Sequence, residues 1–156
     1  WSMNGVKGCY KFLERVWKMQ EFVTEDSEYS KDMEASMHKA IKKVTDDIEK
    51  MKFNTAIATL MSLVNDFNKL NRITKKEFET FLVLLNPIAP HITEEIWQNL
   101  GFESEIAYTT WPEFDESKVQ ENEIEIPVQI NGKVKEVVKV AKDISNEDIS
   151  KVVKKL

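Results

Sequence analysis

Two prolines three residues apart, Pro87 and Pro90, sit directly after the apolar run Phe81–Leu85, and no single regular helix can pass through both. Proline removes a backbone donor and drives the residue before it out of the helical region. The apolar run is therefore the end of one helix. The Pro-x-x-Pro joint sets the entry angle of the next, which opens around Thr93, Glu94 and Glu95 and stops at Gly101. Glycine accepts the left-handed conformation that commonly closes a helix. A chain with this joint is committed to packing consecutive helices against one another.

The residues before the joint carry the same periodicity. Val6, Tyr10, Leu13, Val16 and Trp17 recur at helical spacing, which predicts an amphipathic helix over 6–23. The acidic, serine-containing stretch Thr24–Asp32 reads as a connecting loop. From Met33 the apolar positions Met37, Ile41, Val44, Ile48 and Met51 keep a spacing of three and four. A third helix begins at Phe53, with Ile57, Leu60, Met61, Val64 and Phe67 inward, and ends near Asn71. Thr74 is placed to cap a fourth, Lys75–Leu85, and the fifth runs from Ile92 to Leu100. Short joints between five helices describe an antiparallel bundle.

After Gly101 the helical period is lost. Trp111-Pro112-Glu113-Phe114-Asp115 reads as an extended strap, and the acidic residues after it as a linker. From Glu123 the period becomes two. Ile124, Ile126, Val128 and Ile130 alternate with Glu125, Pro127 and Gln129, as in a half-buried strand. Pro127 confines that strand to an edge or marks a bulge. Asn131-Gly132 signals a hairpin, and Val134, Val138 and Val140 lie on the returning strand. Parity favours a three-residue loop, Asn131–Lys133, because it sets Ile130 opposite Val134 and keeps one apolar face. Ser145, with Asp148 three residues on, caps a last helix whose inner stripe is Ile149, Val152, Val153 and Leu156. One hairpin and one helix bury too little to stand alone, so this module is expected to be incomplete.

The chemistry the chain excludes is equally informative. Its only cysteine, Cys9, rules out a disulfide framework and a cysteine-based zinc site, and is expected to be a buried thiol in a reducing cytoplasm. The two histidines, His38 and His91, have no second ligand at metal spacing. His91 is expected to be a structural residue at a helix start. The four glycines, Gly5, Gly8, Gly101 and Gly132, form no phosphate loop. Glu94 and Glu95 suit a helix start, where they offset the dipole. No apolar run approaches the roughly 20 residues needed to span a membrane. Nothing resembles an active site, and no catalytic or metal-binding residue is expected.

What remains is binding. A net charge of −5, spread evenly along 156 residues, is unlike that of most free-standing nucleic-acid binders, so RNA contact would fall to local basic faces. Three such faces stand out. Lys7, Lys11, Arg15 and Lys18 lie three and four apart on the first helix; Lys39, Lys42, Lys43 and Lys50 lie along the second; Lys133 and Lys135 flank the hairpin turn. Residues so spaced can meet phosphates, which give salt-dependent affinity without reading sequence. The competing reading is a solvated surface, with Asp46, Asp47 and Glu49 pairing the second group. Trp17, Trp97 and Trp111 can stack on bases, but Trp17 and Trp97 lie on apolar stripes and are expected in the core.

Several separated segments also carry a resemblance. GVKGCYKFLERVW at 5–17, HKAIKKVTDDIEKMKFNTAIATLMSLVN at 38–65 and LNPIAPHITEEIWQNLG at 85–101 occur in order. AYTTWPEFD at 107–115 and IPVQINGKVKEVVKV at 126–140 follow them. Together they resemble the anticodon-binding region of class I aminoacyl-tRNA synthetases. The Pro-His joint followed by Glu-Glu-Ile-Trp is shared with valyl and isoleucyl members, while the Trp-Pro strap followed by Val-Gln-Ile-Asn-Gly-Lys-Val-Lys is similar to the leucyl branch. Glu136 departs from the small residue often found there.

The resemblance implies a C-terminal fragment that positions tRNA-Leu, cut from a leucine–tRNA ligase. Its ATP- and magnesium-using catalytic domain and its editing domain lie upstream, and neither nucleotide-binding signature occurs in this chain. The fragment alone would need no cofactor and would not be catalytic; the parent would be a cytoplasmic monomer. By analogy, Lys11, Arg15, Lys18, Lys39, Lys42, Lys43 and Lys50 would meet backbone phosphates, and Lys133 and Lys135 would act in the C-terminal module. The expected architecture is mainly α: a helical bundle with its strap over 1–112, a linker over 113–122, and an α+β module of hairpin and helix over 123–156. The alternatives are a valyl- or isoleucyl-type fragment, and a helical module that binds protein rather than RNA.

Overall fold

The computed structural model describes residues 3–119 and, by their backbone pairing, the strands at 123–130 and 133–141. It divides into two units, 1–119 and 120–156.

The first unit is helical. Its opening helix, α1 (Met3–Lys18), runs into a 3-10 turn, Met19–Phe22. The expected apolar stripe is corrected here. Phe12, Val16 and Met19 are the buried positions, while Val6, Tyr10 and Trp17 are exposed. At 3.6 residues per turn the two sets form separate lines about 120° apart, so one helix carries two apolar faces. Trp17 is therefore not a core residue, and Cys9 is an exposed thiol rather than a buried one.

α2 (Glu34–Glu49) and α3 (Phe53–Leu70) form a helical hairpin. Met37, Ile41 and Val44 are buried on one helix, and Ala56, Leu60, Val64 and Phe67 on the other. Met51, expected on the inner stripe, instead occupies the connection with φ 56° and is 72% exposed. Lys52 donates its amide to the carbonyl of Asp47 at 2.7 Å, closing this turn. α3 ends at Asn71, also left-handed at φ 49°, a conformation asparagine tolerates better than most residues.

β1 (Val23–Thr24) pairs in parallel with β2 (Ile73–Thr74), so the chain leaves for the α2–α3 hairpin and returns at one place. Thr74 then caps α4 (Lys75–Leu85). Its hydroxyl accepts from the Glu77 amide at 3.1 Å, and the Glu77 carboxylate accepts from the Thr74 amide at 2.8 Å, a complete capping box. Phe78, Phe81, Leu82, Val83, Leu84 and Leu85 are all buried, so the C-terminal half of this helix, apolar on every side, lies in the core.

The proline joint behaves as its sequence requires. The amides of Ile88 and Ala89 donate to the carbonyl of Leu85, and Pro90 takes the first position of α5 (Pro90–Asn99), where its missing N–H costs nothing. Because α5 starts at Pro90, Glu94 falls beyond the first turn, where it was not expected. It accepts instead from the Ile106 amide at 3.1 Å, holding the following 3-10 turn, Ile106–Tyr108. Thr93 donates to Asn86 Oδ1 at 2.8 Å across the joint, and His91 is exposed. Gly101 closes the segment at φ 73°. Trp97, as expected, is buried: it stacks on Phe102 at 4.1 Å and donates to the Ser104 carbonyl.

The strap does not stop at Pro112. Trp111 Nε1 donates to Thr45 Oγ1 at 2.9 Å, and the Asp115 amide donates to His38 Nδ1 at 3.1 Å. The short α6 (Glu116–Val119) then lies on α2, tied by Lys42–Glu116 at 2.6 Å and Lys118–Glu34 at 2.7 Å. Residues 113–119, read from sequence as the start of a linker, are thus part of the helical unit. Polar side chains that read as solvated find partners on a helix seventy or more residues away.

In the second unit, β3 (Glu123–Ile130) pairs antiparallel with β4 (Lys133–Ala141). The register sets Ile124 opposite Val140 and Ile126 opposite Val138, but Ile130 opposite Lys133 rather than Val134. The connection is therefore two residues long, not three. The extra residue expected at the turn sits inside the ladder, where the register shifts between Val128 and Gln129 and passes over Lys135. The ladder body keeps the parity demanded by the alternating residues, and the irregularity moves into the strand. The turn at 131–132 and the last helix expected over 145–156 lie outside the described residues.

Candidate nucleic-acid interface

The basic residues of α1 and α2 do not form two uniform free faces. On α1, Lys7, Lys11 and Lys18 are exposed. Arg15 is half-buried and turns its guanidinium to Asn65 Oδ1 at 2.7 Å, so it joins α1 to α3. On α2, the four lysines separate by their angle around the axis. Lys39, Lys43 and Lys50 fall along one side, whereas Lys42 is turned some 60° or more away. That turn brings Lys42 beneath the strap, paired with Glu116 and 5.6 Å from the centre of the Phe114 ring.

Lys43 is paired in a different way. It contacts the buried carboxylate of Asp47 one turn on, and the hydrogen bond from Lys43 holds that carboxyl below its usual range. Lys43 keeps half of its side-chain surface in solvent (52%), so one ammonium can neutralise Asp47 and still face outward. Lys50 is exposed at the C-cap of α2, and Lys39 is exposed on the same side. Lys133 and Lys135 both lie on β4, the first paired with Ile130 and the second at the register shift.

A further charged groove escaped the sequence. Lys75 and Lys76, in the first turn of α4, line a groove of about 370 Å³ with Glu25, Glu28, Glu79 and Phe102. Lys75 stands 5.3 Å from the Phe102 ring centre, and Lys76 pairs with Glu79 at 2.9 Å. The adjacent Lys-Lys pair and Glu79 three residues on were visible, but Glu25 and Glu28 come from the loop after β1 and cannot be found by local spacing. Tyr108, 82% exposed beyond α5, is an aromatic available for stacking that periodicity does not mark, because it lies outside any regular stripe.

At the strap, His38 is buried, with Tyr29 against it edge-on at 5.4 Å between ring centres. Burial lowers its pKa from the ordinary value, and the charge of Lys118 acts in the same sense, against weaker opposing effects of Glu34 and Asp115. Lys118 and Glu34 stabilise each other's charged forms, raising the one and lowering the other. Among the described residues no group of three or more His, Cys, Asp and Glu is placed to hold a metal ion, and no helix is long and apolar enough to cross a membrane.

The family model described as the anticodon-binding domain of tRNA ligase matches residues 30–152. A leucine–tRNA ligase of Alkaliphilus oremlandii (strain OhILAs) is 52% identical over 149 residues, which is 96% of this chain and 19% of that protein. The chain thus spans about a fifth of that relative's length and corresponds to a C-terminal part of it. The agnB2 LeuRS of Agrobacterium radiobacter K84, solved as a ternary complex with tRNA and LeuAMS, matches the whole chain with a TM-score of 0.67 at 29% identity, over 22% of its own length.

Proposed function

Because the chain belongs to the anticodon-binding domain family of tRNA ligases, we propose that it is the tRNA-positioning part of a leucine–tRNA ligase. The observation that carries this reading is the coincidence of the match with the exposed basic residues. A relative 52% identical to almost the whole chain is a leucine–tRNA ligase, and Lys11, Lys18, Lys39, Lys43 and Lys50 are exposed on the first two helices. In this reading the chain performs no chemistry. Leucine activation with ATP and magnesium, and transfer to tRNA-Leu, belong to the upstream part of a cytoplasmic enzyme.

The work of this segment is geometric. Exposed ammonium groups meet backbone phosphates and release condensed counterions, which fixes orientation without base reading. Lys42 and Arg15 differ from these five in joining one element to another, α2 to α6 through Glu116 and α1 to α3 through Asn65. They hold the basic helices in register rather than meeting RNA directly. In the second unit, Lys133 and Lys135 on β4 serve as further phosphate contacts.

The test is a titration of the chain with tRNA-Leu at about 50 mM and 200 mM salt. With four phosphate contacts the affinity should fall by roughly a hundredfold between them. No binding at the lower salt would remove tRNA contact from the role of this segment.

A further inference from the structure

The connection between α2 and α3 is built from residues that suit it badly. Met51 takes φ 56°, a conformation that glycine or asparagine adopts at less cost. Lys52 holds the N-cap position of α3 and supplies no side-chain hydrogen bond there, as serine, threonine, aspartate or asparagine would. Its ammonium group also opposes the positive end of the α3 dipole. Phe53, the first residue of α3, is 40% exposed, and Met51 is more exposed still. Residues that break local rules with no gain inside the fold mark a site whose partner lies outside it.

We propose that this tip is a stacking site for one unpaired base of the bound tRNA, with Lys50 and Lys52 on the phosphates that flank it. The inference rests on the reading of the chain as the tRNA-positioning part of a ligase, and adds a base contact where that reading has only phosphates. Size selects the occupant. A stable protein interface needs about 800 Å² on each partner. Two side chains at a turn fall far short of that, whereas one ring face matches one base. Stacking sites for single-stranded RNA combine an aromatic ring with cations that track the backbone, and Lys50 and Lys52, both exposed, precede Phe53. Lys50 also continues the line of Lys39 and Lys43 along α2, so an RNA backbone following that line arrives at the tip. Charge alone selects no partner here: Lys43 neutralises Asp47, but Asp46 and Glu49 stand against the two lysines. The affinity gained at the tip therefore comes from stacking, which every base offers and which reads no sequence. Helical RNA keeps its bases paired, so the partner is a nucleotide in a loop or bulge.

Variants at Phe53 test this. Phe53→Ala in the 156-residue chain should weaken binding of tRNA-Leu about tenfold and leave the salt slope unchanged. Phe53→Tyr should bind as the native chain does, and Phe53→Leu, which keeps an apolar side chain, as weakly as Phe53→Ala. Lys52→Ala should lower the slope by about 1. A fully paired RNA duplex should bind the native chain and Phe53→Ala equally. Native affinity for tRNA-Leu in Phe53→Ala or Phe53→Leu overturns the proposal. An equal loss toward the duplex does the same, because it marks a distorted helix instead of a lost stack. A second measurement leaves Phe53 in place. Met51→benzoylphenylalanine, irradiated with tRNA-Leu bound, should cross-link to a nucleotide outside the paired stems. Cross-links to stem nucleotides alone, to a second copy of the chain alone, or to nothing overturn the site. If the native chain fails to bind tRNA at the lower salt, the reading of the segment and this site fall together. Binding that survives Phe53→Ala unchanged removes this site alone.

Discussion

The backbone amide of Asp115 donates to Nδ1 of His38, 77 residues earlier, and so ties the strap to α2 through the unprotonated nitrogen of a buried imidazole. An accepting Nδ1 places the neutral ring's proton on Nε2. Protonating Nδ1 would turn the acceptor into a second donor facing an N–H.

Acid should therefore loosen the strap first. Burial lowers the folded-state pKa of His38 below its ordinary value of 6.5, so the unfolded chain takes up the proton more readily. The stabilisation is complete above about pH 6.5 and is lost as pH falls through the lower folded-state value. Glu34 and Asp115 partly offset this by favouring the imidazolium, and Lys118 reinforces it. The expected result is a melting temperature that drops between pH 7.5 and pH 5.5, and a smaller drop in His38→Gln, which keeps an acceptor but cannot titrate. Equal drops in the two proteins would place the acid sensitivity elsewhere.

Trp111 and Thr45 should be energetically coupled. The indole N–H donates to a hydroxyl that in turn donates to the Ile41 carbonyl at 2.7 Å, so the two bonds share one oxygen. Trp111→Phe is expected to cost about 1 kcal/mol for the hydrogen bond, beyond the poorer packing of the smaller ring. In urea denaturation, Thr45→Val should add little once Trp111 is replaced.

Glu77 should matter more than the residue it helps to cap. Besides the Thr74 amide, its buried carboxylate accepts from the amide of Ser30 at 2.8 Å and from the Ser30 hydroxyl at 2.6 Å. Thr74→Ala removes one cap, worth about 1 kcal/mol. Glu77→Ala leaves several donors without their acceptor and should cost about 3 kcal/mol or more. Chemical denaturation of the two variants separates these values; equal costs would confine Glu77 to capping.

This glutamate also shows where local reading stops. Thr74 as a cap, Gly101 as a stop, the proline joint between two helices and the lengths of four helices follow from propensities within a few residues of each position. Ser30 is 47 residues from Glu77, and no periodicity connects them. The strap failed in the same way, since residues 113–119 look solvated until α2 supplies Glu34, His38 and Lys42. On α1 the difficulty was the reverse. Two apolar lines merged into one expected stripe, and only tertiary packing decided that Phe12 goes inside and Trp17 stays out. The candidate basic residues were visible as a set, but which of them join one element to another was not.

That division can be measured with tRNA. Lys39→Glu and Lys50→Glu together should weaken binding and reduce the salt slope by about 1 for each phosphate no longer neutralised. Lys42→Glu should act mainly by repelling Glu116, detaching α6 before it affects the slope. If Lys42→Glu lowers the slope as much as the other changes while the strap stays protected from hydrogen exchange, Lys42 itself neutralises a phosphate.

The parallel pairing of Val23 with Ile73 and Thr24 with Thr74 turns the α2–α3 hairpin into an excursion with a closed neck. The chain departs and returns at one spot, beneath which α4 fills the core, while Met51 sits exposed at the far tip in a left-handed turn. Length added at that tip would project into solvent without altering the neck. The hairpin is thus an arm that evolution or an engineer can extend turn by turn, with the rest of the bundle as its fixed shoulder.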